Sequence, residues 1–172
     1  MTTDWTLPTT FSQYSEEGGE ENHIPWNDDF TPLRNSDGKF LQSNGALHHI
    51  ARSPKPDIKN KTYYLKLTGF NFNGLPNVLN GIEVRIRTRR YGRATDDTIQ
   101  LIYNDENIGD NKAELKVHTE NIYGGVSDLW NTNLTVEDLQ DPSFGIVVRF
   151  KAHPNWPHRD PVFVDSVEMR IH

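Results

Sequence analysis

The residues of this 172-residue chain that are able to do chemistry are plentiful, but their spacing limits what they could do. His48 and His49 are adjacent, and neighbouring side chains of a strand face opposite ways, so the pair is badly arranged to hold one metal ion. His153 and His158 lie five apart in HPNWPH, a spacing that fits neither H-E-x-x-H nor H-x3-H. Asp105 to Gly109 (DENIG) copies a calcium loop only in outline: its glycine is misplaced, and Lys116 stands where the bidentate Glu of the twelfth position belongs. Asp96-Asp97 would suit a calcium loop, but also an ordinary turn between strands. There is no cysteine, which removes thiol catalysis, disulfides and Cys-ligated zinc or iron–sulfur centres. No G-x-S-x-G or comparable nucleophile motif occurs, and carboxylates without a known separation cannot be paired as acid and base. The sequence therefore calls for no cofactor, no metal and no catalytic residue, and a sandwich-fold glycan depolymerase is the weakest of the functional readings.

Two other groups are better suited to binding. Arg85, Arg87 and Arg89 recur at every second position, followed by Arg90 and Arg93. On a strand such a row lines one sheet face over roughly 13 Å. It would grip phosphates, an acidic partner, or acids on neighbouring strands. The chain carries a formal net charge of -6, so acid pairing, within the chain or with a partner, is favoured over nucleic acid. The second group is HPNWPHRDP, residues 153–161, in which Trp156 sits between two prolines. An aromatic on a stiffened loop suits stacking on a sugar, insertion into a neighbouring subunit, or folding back over the core edge.

The negative charge is concentrated at one end. Residues 1–37 hold eight acids and one base, whereas the remainder is close to neutral. Ser15 to Asn22 (SEEGGEEN) offers nothing apolar to bury, yet Trp5, Phe11, Tyr14 and Trp26 flank it. Residues 1–23 are accordingly read as an acidic, aromatic-flanked arm that docks on its own body or on a partner, with Trp5, Phe11 and Tyr14 as its candidate contact residues. The start has no basic and apolar pattern of a signal peptide, and no stretch approaches the roughly 20 apolar residues that span a bilayer.

These residues must be positioned by strands. Tyr63–Phe72, Ile82–Thr88, Thr98–Tyr103, Gly145–Lys151 and Val162–Ile171 alternate, or are rich in β-branched and aromatic residues. Ile82–Thr88 alternates most cleanly, with Ile82, Val84 and Ile86 on one face and Glu83, Arg85 and Arg87 on the other. Turn signals separate the runs: Asn44-Gly45, Asn73-Gly74-Leu75-Pro76, Asn80-Gly81, Gly109-Asp110 and Gly124-Gly125. Only Thr135-Val136-Glu137-Asp138 follows a capping-box pattern, for a turn or two of helix. The expected fold is an all-β antiparallel sandwich of jelly-roll type over residues 24–172.

An ordered set of motifs carries a family resemblance. YLKLTGF (64–70), GIEV (81–84), NKA (111–113), YGG (123–125), SDLW (127–130), TVEDL (135–139), FGI (144–146) and VDSV (164–167) follow one another, preceded by Trp26 and Ser36-Asp37-Gly38. This series resembles a β-sandwich module of tailed-bacteriophage structural proteins, over about residues 24–172. The resemblance implies a non-enzymatic virion component of the head, neck, tail or fibres, assembled in the host cytoplasm and binding other virion proteins. Homo-oligomers, trimers among them, are compatible with that role; nucleic acid and membrane are not the expected partners. The chain departs from the pattern in its arginine-laden strand after GIEV and in the 153–161 insertion. A second reading is a carbohydrate-binding module that adheres to a host glycan through Trp156.

Overall fold

The computed structural model describes residues 1–16, 23–47, 60–89, 94–115, 119–153 and 161–172. Its strands are β1 (Thr10–Tyr14), β2 (His23–Ile24), β3 (Leu41–Gln42), β4 (Lys61–Thr62), β5 (Tyr64–Thr68), β6 (Ile82–Thr88), β7 (Ala94–Tyr103), β8 (Glu106–Ile108), β9 (Glu120–Gly124), β10 (Gly145–Ala152) and β11 (Phe163–Ile171). The first sheet holds β1, β5, β10, β4, β2, β7 and β8; the second runs β3-β11-β6-β9. All pairings are antiparallel except the two-residue contact of β2 with β4. From β5 onward the chain crosses between sheets at every step except the β7–β8 hairpin, the alternation of a jelly roll. The protein is an antiparallel β-sandwich.

Period-two patterning explains the core. On β6, Ile82, Val84 and Ile86 are buried while Glu83, Arg85 and Arg87 face outward. Leu65 and Leu67 of β5, Ile99 and Leu101 of β7, Ile146, Val148 and Phe150 of β10, and Val167, Met169 and Ile171 of β11 fill the space between the sheets, joined by Trp26, Leu33 and Trp130. The capping-box segment yields a single 3-10 turn, Asp138–Gln140. Thr135 N–H and Oγ1 donate to Asp138 Oδ2 at 2.8 Å, and Asp138 N–H donates back to Thr135 Oγ1 at 3.3 Å.

Two β-bulges change which way acidic residues point. Arg149 of β10 faces Thr98 and Phe150 faces Asp96, so Asp97 is the extra residue on β7. Thr98 and Asp97 thereby share the outer face, while Asp96 turns inward, where its Oδ2 accepts from Tyr123 Oη at 2.7 Å and Glu114 N–H at 3.1 Å. On β11 the register skips between Val164 and Ser166, leaving Asp165 unpaired. Its Oδ1 accepts from Gly38 N–H at 2.7 Å, which supplies the partner that a buried carboxylate requires.

The front end of the chain is laid along both sheets. Thr3 N–H donates to Ile171 O at 2.9 Å, and Thr6 exchanges backbone bonds with Met169, extending the second sheet beside β11. Four residues further on, β1 pairs with β5 over its whole length, from Thr10 opposite Thr68 to Tyr14 opposite Tyr64. Residues 1–16 are thus main-chain partners of both sheets; residues 17–22 of the expected arm lie outside the described residues. Gln13 fastens the segment from its other side. Its carboxamide oxygen accepts from Trp26 N–H at 2.7 Å, and its Nε2 donates to Trp26 O at 3.1 Å. Trp26 is fully buried, so Gln13→Ala leaves its main-chain N–H unpaired, while Trp26 O keeps the bond from Asn44 Nδ2 at 3.1 Å. A loss of about 1–3 kcal/mol is expected, read from urea unfolding. A midpoint equal to that of the wild type would show that water replaces the carboxamide.

Candidate interaction surfaces

The outer face of the second sheet carries the arginine row. In register, Arg85 lies opposite Glu168 of β11 and Arg87 opposite Glu120 of β9. Arg85 Nε and Nη2 bond both oxygens of Glu168 at 2.9 and 3.0 Å. Arg87 Nε donates to Glu120 at 2.6 Å, and its Nη1 reaches Ser36 Oγ and lies 3.7 Å from Glu168. Hydrogen bonding to Glu120 raises the Arg87 guanidinium further, against the opposing effect of burial. Arg89 is held differently: its guanidinium lies over Phe163 at 5.1 Å and Phe40 at 5.9 Å. The row is therefore joined to carboxylates and rings of the same chain.

Trp5 closes this face. Its indole lies 4.3 Å from the Arg85 guanidinium and 4.4 Å from that of Arg170. Arg170 in turn bonds Glu83 through Nε and Nη2 at 2.9 and 2.6 Å, and His172 Nε2 meets the same carboxylate at 2.8 Å. Burial would raise the Glu83 carboxyl, but the bonds from Arg170 and His172 outweigh it and hold Glu83 below its usual value. The front segment is thus joined to the arginine strand by an aromatic contact, whereas Glu16, among its described residues, bonds Arg149 of the first sheet.

The outer face of the first sheet gathers a second charged group that sequence reasoning missed. Arg149, buried on β10, bonds Asp97 at 2.6 Å and Glu16 at 2.8 Å, and its guanidinium lies 4.0 Å from the Tyr64 ring centre. Lys61 and Lys151 reach Asp97 at 3.3 and 3.8 Å. Burial pushes the Asp97 carboxyl up, but Arg149 and Lys61 prevail and lower it. Glu16 is lowered chiefly by the hydrogen bond from Tyr64 Oη, 2.8 Å away, and then by Arg149. Burial and that same bond push the Tyr64 phenol up to about 12. Tyr14 stacks on Tyr64 with ring centres 5.0 Å apart. Phe11 lies further along β1, stacked on Phe30 at 6.2 Å and under Arg34 at 5.1 Å. His23, opposite Lys61 on this face, is lowered by burial and by Arg149, and its Nδ1 has no hydrogen-bond partner among the described residues. The signal for this cluster was the pairing of outward positions across β5, β10 and β7, which depends on the Asp97 bulge and is invisible along the chain.

The candidate residues therefore separate. Trp5, Arg85, Arg87 and Arg89 share the second sheet's outer face, whereas Phe11 and Tyr14 belong to β1 in the first sheet. Trp156, with His48, His49, His158, Arg90 and Arg93, lies outside the described residues. Asp96 and Asp97 diverge, and among the described residues no group of three or more acidic or histidine side chains is placed to hold a metal ion. Comparison with known proteins finds no matching family model, curated protein or solved structure.

Proposed function

We propose that this protein is a non-enzymatic structural component of a tailed-phage virion, an accessory protein of the head, neck, tail or fibres that binds other virion proteins. The observation that carries the reading is where the resembling motifs fall. Gly81 of the GIEV motif lies against Gly125 of YGG, where a Cβ would strike the Gly125 carbonyl oxygen. Asp128 of SDLW accepts from Trp130 N–H at 2.8 Å, and the buried Trp130 indole donates to Ile82 O at 2.9 Å. Asp165 of VDSV ties Gly38 of the Ser-Asp-Gly element to the last long strand. Motifs separated by tens of residues thus meet as the frame of one sandwich, and a frame of this kind leaves loops and sheet faces to carry contacts that differ between virion proteins.

Quantitative mass spectrometry of purified particles tests the proposal. A fixed copy number relative to the major capsid protein is expected. Hundreds of copies would make it a head decoration or repeated tail element, and about a dozen a neck, baseplate or fibre protein. Absence from washed particles would overturn the reading and return host-glycan adhesion through Trp156 to first place.

A further inference from the structure

Natural sheets protect their edges, because an uncovered strand presents unpaired N–H and C=O groups to any other chain. Two edges of this sandwich have a neighbouring segment beside them. β1 is flanked by residues 26–34, through Gln13 on Trp26 and Phe11 on Phe30. Residues 111–114 lengthen the β8 edge without covering it, since their bonds go to β7: Lys112 N–H donates to Ile99 O at 2.8 Å and Asn111 Oδ1 accepts from Ile99 N–H at 2.9 Å. Beside β11 lie β3 and the bonds of Thr3 and Thr6. β9 has no such neighbour among the described residues.

The ladder of β9 on β6 is bracketed by Thr88 N–H to Thr119 O and Gly125 N–H to Ile82 O. In an antiparallel pair this spends the main-chain groups of 119, 121, 123 and 125 on β6, and turns those of Glu120, Ile122 and Gly124 the other way. No described residue bonds them. The sequence of β9, ENIYG, has no lysine, proline or register shift to blunt the edge, and its one charge is Glu120. The Ile122 side chain is 51% exposed, and Val126 just beyond is 61% exposed.

We propose that β9 is a self-association edge, and that a second copy of this chain pairs with it antiparallel about a two-fold axis through Ile122. The strand is self-complementary in that register. Ile122 faces its own copy, and Glu120 faces Gly124 of the second copy, with each facing pair exchanging both main-chain bonds. No like charges oppose one another, because the single charge of β9, Glu120, faces a glycine and stays paired with Arg87 of its own chain. The product is a continuous sheet formed from two copies of β3-β11-β6-β9. The inference is independent of the virion reading.

Sedimentation or light scattering of the purified full chain over a concentration series tests it. The wild type is expected to reach twice the monomer mass. Ile122→Pro removes an N–H that β6 does not use, so the fold should survive while the dimer is lost. Ile122→Lys sets two like charges face to face at the axis and should also give monomer, with thermal unfolding confirming that both variants are folded. Val78→Lys changes a side chain of 66% exposure outside β9 and should leave the dimer intact. A wild type that stays monomeric throughout would overturn the proposal. So would a dimer that persists in both folded Ile122 variants, or one lost equally with Val78→Lys.

Discussion

Asp97→Ala is expected to cost the fold about 3–5 kcal/mol, the loss typical of removing one partner from a buried ion pair. The side chain of Arg149 is 5% exposed and that of Asp97 10%, so Arg149 would keep the Tyr64 ring and, as its charged partner, Glu16, which is itself half-exposed. Lys61 and Lys151 would also lose the carboxylate they share. Urea unfolding followed by tryptophan fluorescence measures the effect, and a loss below about 1 kcal/mol would reduce the cluster to a surface network. The same carboxylate sets a pH dependence. Its folded-state pKa is depressed, so its contribution is fully present above the unfolded carboxylate value near 4 and is lost as pH falls through the folded value. Glu83 and Asp128 are depressed as well and act in the same window. Asp96 opposes them: burial raises its pKa, so its contribution is greatest in acid and declines as pH rises through the folded value. The acid limb of stability should therefore be shallower in Asp97→Asn than in the wild type. An unchanged limb would place the acid sensitivity on the other depressed carboxylates, Glu16, Glu83, Asp128 and Asp138 among them.

The other large effect is expected at Trp130. Its indole is fully buried, packs in the core and donates to Ile82 O, while its backbone sits at φ 56, in the left-handed region. That conformation costs roughly 1–2 kcal/mol in a non-glycine residue, and here the Asp128 carboxylate accepts the Trp130 N–H. Close contact is required on the strand side too. At Gly124, whose φ is +78, any Cβ would strike Ile82 O and the indole. Trp130→Ala should cost about 3–5 kcal/mol through the cavity it leaves. Trp130→Phe should cost about 1–3 kcal/mol, since it keeps a ring but loses part of the buried indole and its bond to Ile82 O, which retains only Gly125 N–H at 3.3 Å. Thermal unfolding of both variants would separate packing from the hydrogen bond. Equal losses would mean that the indole N–H accounts for the whole effect.

Much of the frame was legible along the chain. Ile82–Thr88 forms a strand with the bounds its alternation predicts, because one side of it is buried and the other is not, and period two records that directly. The run Val162–Ile171 likewise becomes β11, and Asp165 needed the partner it has in Gly38. β1 and β9 were not legible as strands. Thr10–Tyr14 is never fully buried on either side, so no apolar stripe marks it, and it read as part of an arm. Glu120–Gly124 buries only Tyr123. Edge strands are held by main-chain hydrogen bonds, which every residue type except proline can donate, and such bonds leave no signature in composition.

The same division holds for the surfaces. That Arg85 and Arg87 share an outward face follows from their spacing alone, a local geometric fact. That Glu168 and Glu120 stand opposite them depends on pairings across 83 and 33 residues. A one-residue slip of β11 or β9 would move those acids to the other face. Asp96 and Asp97 make the point most sharply. As adjacent strand residues they were bound to face opposite ways, but which one enters the core is set by the bulge opposite Arg149 and Phe150. Sequence by itself determined the fold class, the inward and outward faces of the long strands and the main turns, because these depend on neighbours a few positions apart. Tertiary structure alone decided the ion-pair partners, the role of residues 1–16 and the open edge of β9, because register and strand order are fixed by contacts between segments far apart in the chain.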